Sequence, residues 1–122
     1  MLNRTREYVD DAPVSRCAKP MGYYITSPAI DALRDEFGNY LEKVSPLQKC
    51  LMGAVLFDQL GAGNENYTPF DTFQAIDPDC LLENELSNAL LRILQEDDNS
   101  AIALLISAIA AYVADDIRND RE

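Results

Sequence analysis

The chain lacks two residue types entirely, since none of its 122 residues is a histidine or a tryptophan. The absence of histidine excludes Ser-His-Asp and Cys-His nucleophile systems, an imidazole base near neutral pH and histidine-ligated metals. Cys17, Cys50 and Cys80 are too scattered for a structural zinc site or a disulfide framework. We therefore expect a protein that is not an enzyme, uses no cofactor or metal, and works in the reducing cytoplasm. Cys50 and Cys80, at helical positions, are expected in the core.

The sequence also has no evident targeting or membrane-spanning segment. Its first residues, MLNRTREYVDD, contain no apolar stretch of the kind that a signal peptide needs. The longest nearly uncharged apolar run, residues 101–114, is shorter than the ~20 residues required to span a bilayer. These features predict no association with a membrane.

Signals for β-strands are scarce, because only residues 21–26, MGYYIT, have β character. One strand buries little, so this segment is expected to cross the body as an extended arm or to pair with a partner's edge. Helix starts are frequent instead. Four times an oxygen-bearing residue precedes proline, as at the N-cap and first position of a helix. The pairs are Ser27-Pro28, Ser45-Pro46, Thr68-Pro69 and Asp77-Pro78.

Apolar residues at steps of three and four follow each pair, as amphipathic helices require. The predicted helices cover about 28–43, 46–60, a short segment from 69, a longer one from 78 to about 94, and 100–117. In the second, which should be the most buried, Gly53 is expected to admit a neighbouring helix and Gly61 to be the C-cap. The sequence thus predicts an all-α, single-domain bundle of four to five helices with an extended N-terminal arm.

The predicted last helix has a strip of small residues on the side away from its apolar stripe. The strip consists of Ala103, Ser107, Ala110 and Ala114. Small side chains at this spacing let another backbone come close, either within the fold or across a dimer interface formed by residues 100–117.

The net charge of −11, from 10 basic and 21 acidic residues, is unevenly spread. Residues 1–26 carry +1 and are interpreted as an arm that binds a partner, whereas residues 27–122 carry −12 and form the acidic helical bundle domain. A body of this sign is repelled by nucleic-acid phosphates and anionic membranes, and is steered toward basic partners. The alternative interpretation is that the charge only keeps the protein soluble.

Two sets of residues are the candidates for partner binding. The acidic set, expected on outer faces or at helix ends, is Asp31, Asp35, Glu42, Glu83, Glu85, Asp97, Asp98, Asp115 and Asp116. The aromatic set, in segments expected to be irregular, is Tyr23, Tyr24, Tyr67 and Phe70. Exposed aromatic side chains are typical anchors of interfaces, although aromatics in loops also fasten the loop to the core.

These features favour a small acidic, non-enzymatic protein that docks onto a basic surface of another protein, as an inhibitor, immunity-type or adaptor protein does. One alternative is a DNA mimic that inhibits a nucleic-acid-binding enzyme. Another is a structural homodimer or an assembly chaperone. We expect no direct contact with nucleic acid.

Overall fold

The computed structural model describes residues 17–62 and 66–120, and this part of the chain is an all-helical bundle. Its helices are α1 (Met21–Tyr24), α2 (Pro28–Phe37), α3 (Pro46–Ala62), α4 (Pro69–Ile76), α5 (Asn84–Glu96) and α6 (Asn99–Asp120). Five of them are eight residues or longer, and α1 is a single turn. The predicted all-α bundle is confirmed.

Three of the four oxygen–proline pairs begin helices as predicted. The Ser27 hydroxyl accepts a hydrogen bond from the Ile30 N–H, and the Ser45 hydroxyl accepts one from the Gln48 N–H. At Thr68 the side chain accepts from the Asp71 N–H while the Asp71 carboxylate accepts from the Thr68 N–H. These bonds satisfy N–H groups that the first turn of a helix leaves free.

The prediction for the fourth pair, Asp77-Pro78, is wrong, because it ends α4 rather than starting a helix. The Asp77 N–H donates to the Phe73 carbonyl, and the Asp77 carboxylate accepts from the N–H groups of Leu81 and Leu82. Cys80 adopts a left-handed conformation with φ of 55° inside this turn. The next helix, α5, therefore starts only at Asn84.

Two predicted helix ends are also wrong. α2 ends at Phe37 rather than near residue 43, because Gly38 has φ of 104°, which breaks the helix. Leu41 follows with φ of 52° and places its side chain fully in the core. At the other site, α3 continues through Gly61 to Ala62, so that Gly61 is a helical residue and not the C-cap.

In the segment expected to be extended, residues 21–26, the first four residues form the helical turn α1 instead, and Ile25 is extended. The Met21 N–H donates to the Asn39 carbonyl, and the Met21 side chain is fully buried. The described part of the predicted arm, from Cys17 onward, is therefore packed onto the body. Residues 1–16 of that arm lie outside the described residues.

Two antiparallel helix pairs share one apolar core. α3 and α6 run antiparallel, since Lys49 contacts Asp116 while Gly53 faces Ile109. α2 and α5 pack together with the start of one beside the end of the other, where the Ser27 hydroxyl donates to Asp97. A β-carbon on Gly53 would lie 3.8 Å from Ile109, an ordinary contact, so the packing does not require glycine there.

α6 is the longest helix, and by length and composition it is apolar enough to cross a membrane. Its inner side is nevertheless the core of the bundle, because Leu105, Ile109 and Tyr112 are buried against the other helices. A core helix passes the same test of length and composition.

Candidate protein-binding site

Asp115 was expected on an outer face, and this expectation is wrong because its side chain is buried in the structure. Its carboxylate accepts hydrogen bonds from the N–H groups of Cys17 and Ala18 and forms an ion pair with Arg118. Nearby, the Tyr112 hydroxyl donates to the Lys19 carbonyl at 2.8 Å. Asp115 thus fastens the segment before α1 onto α6.

Asp116 is also turned inward, toward a buried base. Its carboxylate oxygen lies 2.5 Å from the Lys49 ammonium, whose side chain is only 1% exposed. Sequence reasoning missed Lys49, although its spacing to the buried Met52 and Leu56 places it on the inner stripe of α3. The pair joins the two longest helices and leaves neither charge for a partner.

Four further acidic candidates accept a hydrogen bond or form an ion pair within the bundle. Asp31 pairs with Arg34, Glu42 accepts from the Tyr40 N–H, and Asp97 accepts from the Ser27 hydroxyl. Asp98 accepts from the Ala101 N–H at the start of α6. These carboxylates act as caps and braces of the fold.

Three predicted acids, Asp35, Glu83 and Glu85, remain exposed. Their carboxylates form no hydrogen bond or ion pair with the part of the chain that the structure describes. Asp35 stands on α2, whereas Glu83 and Glu85 lie together at the start of α5. Of the nine acidic candidates, three are thus both exposed and unpaired in the described structure, and two of these, Glu83 and Glu85, are two residues apart.

The four aromatic candidates also divide into two that contact the rest of the fold and two that are exposed. Tyr24 packs edge-on against Tyr112 with ring centroids 6.5 Å apart, and Tyr67 donates its hydroxyl to Asp58 at 2.6 Å. The hydrogen bond to the Asp58 carboxylate raises the pKa of Tyr67 above its ordinary value. These two side chains fasten segments to the body. Tyr23 and Phe70 are 69% and 67% exposed.

Phe70 lies at a groove of about 370 Å³ between α4 and α5. Its lining is mostly apolar, with Phe73, Leu82 and Leu91 beside Phe70. Asn84, which stands between Glu83 and Glu85 in the chain, also lines it. Of the predicted binding residues, Phe70 thus lines the groove, whereas Glu83 and Glu85 are chain neighbours of a lining residue and do not line it themselves.

The groove is held in shape by side chains from two directions. Asp77 binds the backbone of the turn that leads into α5, as described above. From α3, the Gln48 amide donates to the Leu81 carbonyl and its oxygen accepts from the Glu83 N–H. The relative positions of α4, the turn and Glu83 are therefore fixed by hydrogen bonds, which favours a preformed site.

A second surface, on α3, has no charge. Lys49 and Asp58 are the only charged residues of this helix, and they point toward Asp116 and toward the hydroxyls of Tyr67 and Thr72. The outer side of the helix carries Leu47, Cys50, Ala54, Phe57 and Gly61, of which only Ala54 is half-buried. Cys50 and Cys80 are exposed, so the expectation that they lie in the core is wrong.

The outer side of α6 matches that of α3. It carries the predicted strip of small residues and Ile117, and all of them are exposed. No charged residue occurs between Asn99 and Ala114. We call the outer sides of the two helices, taken together, the α3/α6 outer surface.

The two halves of this surface are continuous across the contact between the helices. Stepping four residues from the contact leads from Gly53 to the exposed Phe57 on α3, and from Ile109 through Val113 to Ile117 on α6. Because the helices are antiparallel, the same step turns toward the same side of the pair on each. The result is one uncharged face.

The described residues form no candidate metal site. Within residues 17–62 and 66–120, no group of three cysteine or carboxylate side chains comes together in a way that could hold a metal ion.

Comparisons with protein-family models, with curated proteins and with solved structures find no match to this chain. The function must therefore be inferred from the surface itself.

Proposed function

We propose that this is a non-enzymatic protein that binds another protein through the α4/α5 groove. The observation that carries the proposal is an exposed aromatic side chain on an apolar groove, one of whose lining residues, Asn84, stands in the chain between two unpaired carboxylates. The partner segment would place an apolar side chain against Phe70 and a basic side chain beside Glu83 and Glu85. The chain would act as an inhibitor, immunity-type or adaptor protein.

The shape of the groove supports this proposal. Phe70 is two-thirds exposed and lies beside the further apolar side chains of the groove, and a group of apolar side chains at the surface can mark a contact site. Aromatic anchors in such pockets contribute most of the affinity in protein interfaces.

The charge of the molecule supports the same partner. With a net charge of −11, the chain attracts basic proteins over distances of about 10 Å at ordinary ionic strength. Glu83 and Glu85 add exposed charge at the start of α5, where neither forms an ion pair with the described residues. Binding should therefore weaken as salt increases.

The DNA-mimic alternative stays a prediction. Mimicry needs carboxylates that face outward at the spacing of duplex phosphates. Six of the nine acidic candidates accept hydrogen bonds or ion pairs from the chain itself, so the observations favour the groove.

The test captures proteins from a lysate on the immobilised chain, purifies the one that binds, and measures its Kd. We expect Phe70→Ala to raise the Kd by about 30-fold, as for an interface anchor. Glu85→Lys should raise it at low salt, with a smaller effect at high salt. Tyr23→Ala and Asp35→Lys are the matched controls, because they alter an equally exposed aromatic ring and an equally unpaired acid elsewhere.

A bound protein that ignores both groove variants would contradict the proposal, as would the absence of any bound protein. Displacement of the partner by duplex DNA, together with a steep loss of binding in salt, would favour the mimic instead.

A further inference from the structure

We propose that the α3/α6 outer surface is the interface of a homodimer, in which a second copy of this chain packs face to face on the same two helices. The proposal does not depend on the α4/α5 groove, since it uses a different part of the surface. It also extends beyond the predicted interface at residues 100–117, because α3 supplies half of the surface.

The side-chain composition of this surface identifies it as an interface. Phe57 is 65% exposed and Ile117 is 49% exposed, and the residues three and four positions before each of them are uncharged. On an acidic protein with 21 carboxylate side chains, the outer side of α3, and that of α6 as far as Ile117, carry no charge, and the exposed Arg118 follows only at the end of α6. A contiguous apolar face of this kind on a small protein marks a contact surface.

The lack of charge on the α3/α6 outer surface favours a second copy of this chain as the partner that binds there. A basic partner would gain no electrostatic attraction from an uncharged face, and an anionic membrane would repel a body of charge −11. A second copy presents the same uncharged face and fits it without placing any charge opposite another. Two-fold symmetry then requires only that one patch be complementary to itself.

The area of the surface is sufficient. α3 has 17 residues and α6 has 22, so the helices are about 25 Å and 33 Å long at about 1.5 Å per residue. With adjacent axes about 8–10 Å apart, the face measures about 25 by 20 Å, or about 500 Å² on each copy. The two copies would bury about 1,000 Å², which is the lower limit for a specific interface. The dimer should therefore be concentration-dependent.

The small residues of α6 explain how the copies approach. Ala103, Ser107, Ala110 and Ala114 form a shallow track along the helix, and the distance between packed helices shortens when contacting side chains are small. α6 of one copy can thus lie against α6 of the other, with the larger Phe57 and Leu47 side chains of α3 at the flanks.

The main test is sedimentation of the full chain over a dilution series. We expect a mass near twice 13.6 kDa at high concentration and one copy on dilution. Ala110→Glu should raise the dimer dissociation constant by about 100-fold or more, because it buries an unpaired charge in both copies. Gln95→Glu adds the same charge on an exposed position of α5 and should leave the constant within about twofold.

Two further readouts separate the dimer from misfolding and from other occupants. The rate at which a maleimide labels Cys50 should fall as protein concentration rises, while the rate at Cys80 should not change. Dimerisation should strengthen with salt, since salt screens the repulsion between two bodies of charge −11. A wild-type chain that stays monomeric at its highest soluble concentration overturns the proposal. An unchanged dissociation constant in Ala110→Glu overturns it as well, as does monomeric wild-type chain bound to neutral phosphatidylcholine vesicles.

Discussion

The two antiparallel helix pairs of this bundle arrange their charged residues in opposite ways. In the α3/α6 pair, Lys49, Asp115 and Asp116 are turned inward and the outer side is uncharged. In the α2/α5 pair, Asp35 and Glu85 point to solvent. The net charge of −11 is therefore not spread evenly over the surface. The α2/α5 pair has charged side chains on its outer side, whereas Lys49, Asp115 and Asp116 of the α3/α6 pair point inward and hold the fold together.

This difference bears on how each region interacts. The start of α5 presents unpaired carboxylates beside a groove, and contacts made there should weaken with salt. The outer side of α3 and α6 presents only apolar and small side chains, and contacts made there should strengthen with salt. The two proposed contacts, with a basic partner and with a second copy, thus use separate surfaces and should respond to salt in opposite ways.

The largest expected effect comes from breaking the buried ion pair of α3/α6. Lys49→Ala leaves the Asp116 carboxylate without its buried base, which should lower the free energy of unfolding by about 3–5 kcal/mol. The matched change in the other pair is Arg92→Ala, which removes the partner of Glu96 from an exposed ion pair and should cost about 0.5 kcal/mol or less. Urea denaturation of both variants measures the difference.

The double variant Lys49→Met/Asp116→Leu provides the control for this prediction. Replacing both charges by apolar side chains leaves no carboxylate that has lost its ion-pair partner, so most of the lost stability should return. If Lys49→Ala costs no more than Arg92→Ala, the two ion pairs do not differ as the structure indicates.

A smaller effect on the free energy of unfolding is expected when one aspartate in each helix pair is replaced by alanine. Asp115→Ala leaves the N–H groups of Cys17 and Ala18 without an acceptor and should lower the free energy of unfolding by about 1–3 kcal/mol. Asp35→Ala removes an exposed carboxylate that braces nothing in the described structure, and should change it by about 0.5 kcal/mol at most. Thermal and urea unfolding check both values. Equal losses would show that inward and outward carboxylates stabilise this fold alike.

The smallest effect tests how closely α3 and α6 approach. Gly53→Ala should raise the free energy of unfolding by about 0.5–1 kcal/mol, because alanine is the better helix former and its methyl group would only reach ordinary contact with Ile109. Gly61→Ala, in the last turn of the same helix with open space around it, serves as the reference. A destabilised Gly53→Ala variant would mean that the two helices need glycine after all.

Local signals in the sequence predicted the helices well and their ends poorly. Ser27, Ser45 and Thr68 act as caps because each bond joins residues three apart, and so depends on local geometry alone. α2 ends at Gly38, a glycine with positive φ that lies inside the helix predicted for residues 28–43. The turns at Leu41 and Cys80 depend on left-handed backbone conformations, which residues of these types rarely adopt and which sequence therefore does not indicate.

The sequence indicated which acidic and aromatic residues are candidates for binding, but not which of them are exposed and which hold the fold together. Exposed Phe70, Glu83 and Glu85 were among the candidates, yet so were Asp115 and Tyr67, which hold the fold together. The periodicity of α6 placed Asp115 one turn from the buried Tyr112, and attention to that spacing would have indicated its burial. No local pattern indicated that Cys17 and Ala18 would supply the hydrogen-bond donors.

The sequence by itself determined the helical class, most helix starts and the excess of negative charge, because each depends on residue type and on contacts within a few positions along the chain. Only the tertiary structure decided which charges face inward, that α4 and α5 leave a groove beside Glu83, and that α3 and α6 share one uncharged face. These features join residues as far apart as Lys49 and Asp116, and their relative positions follow from how the helices pack.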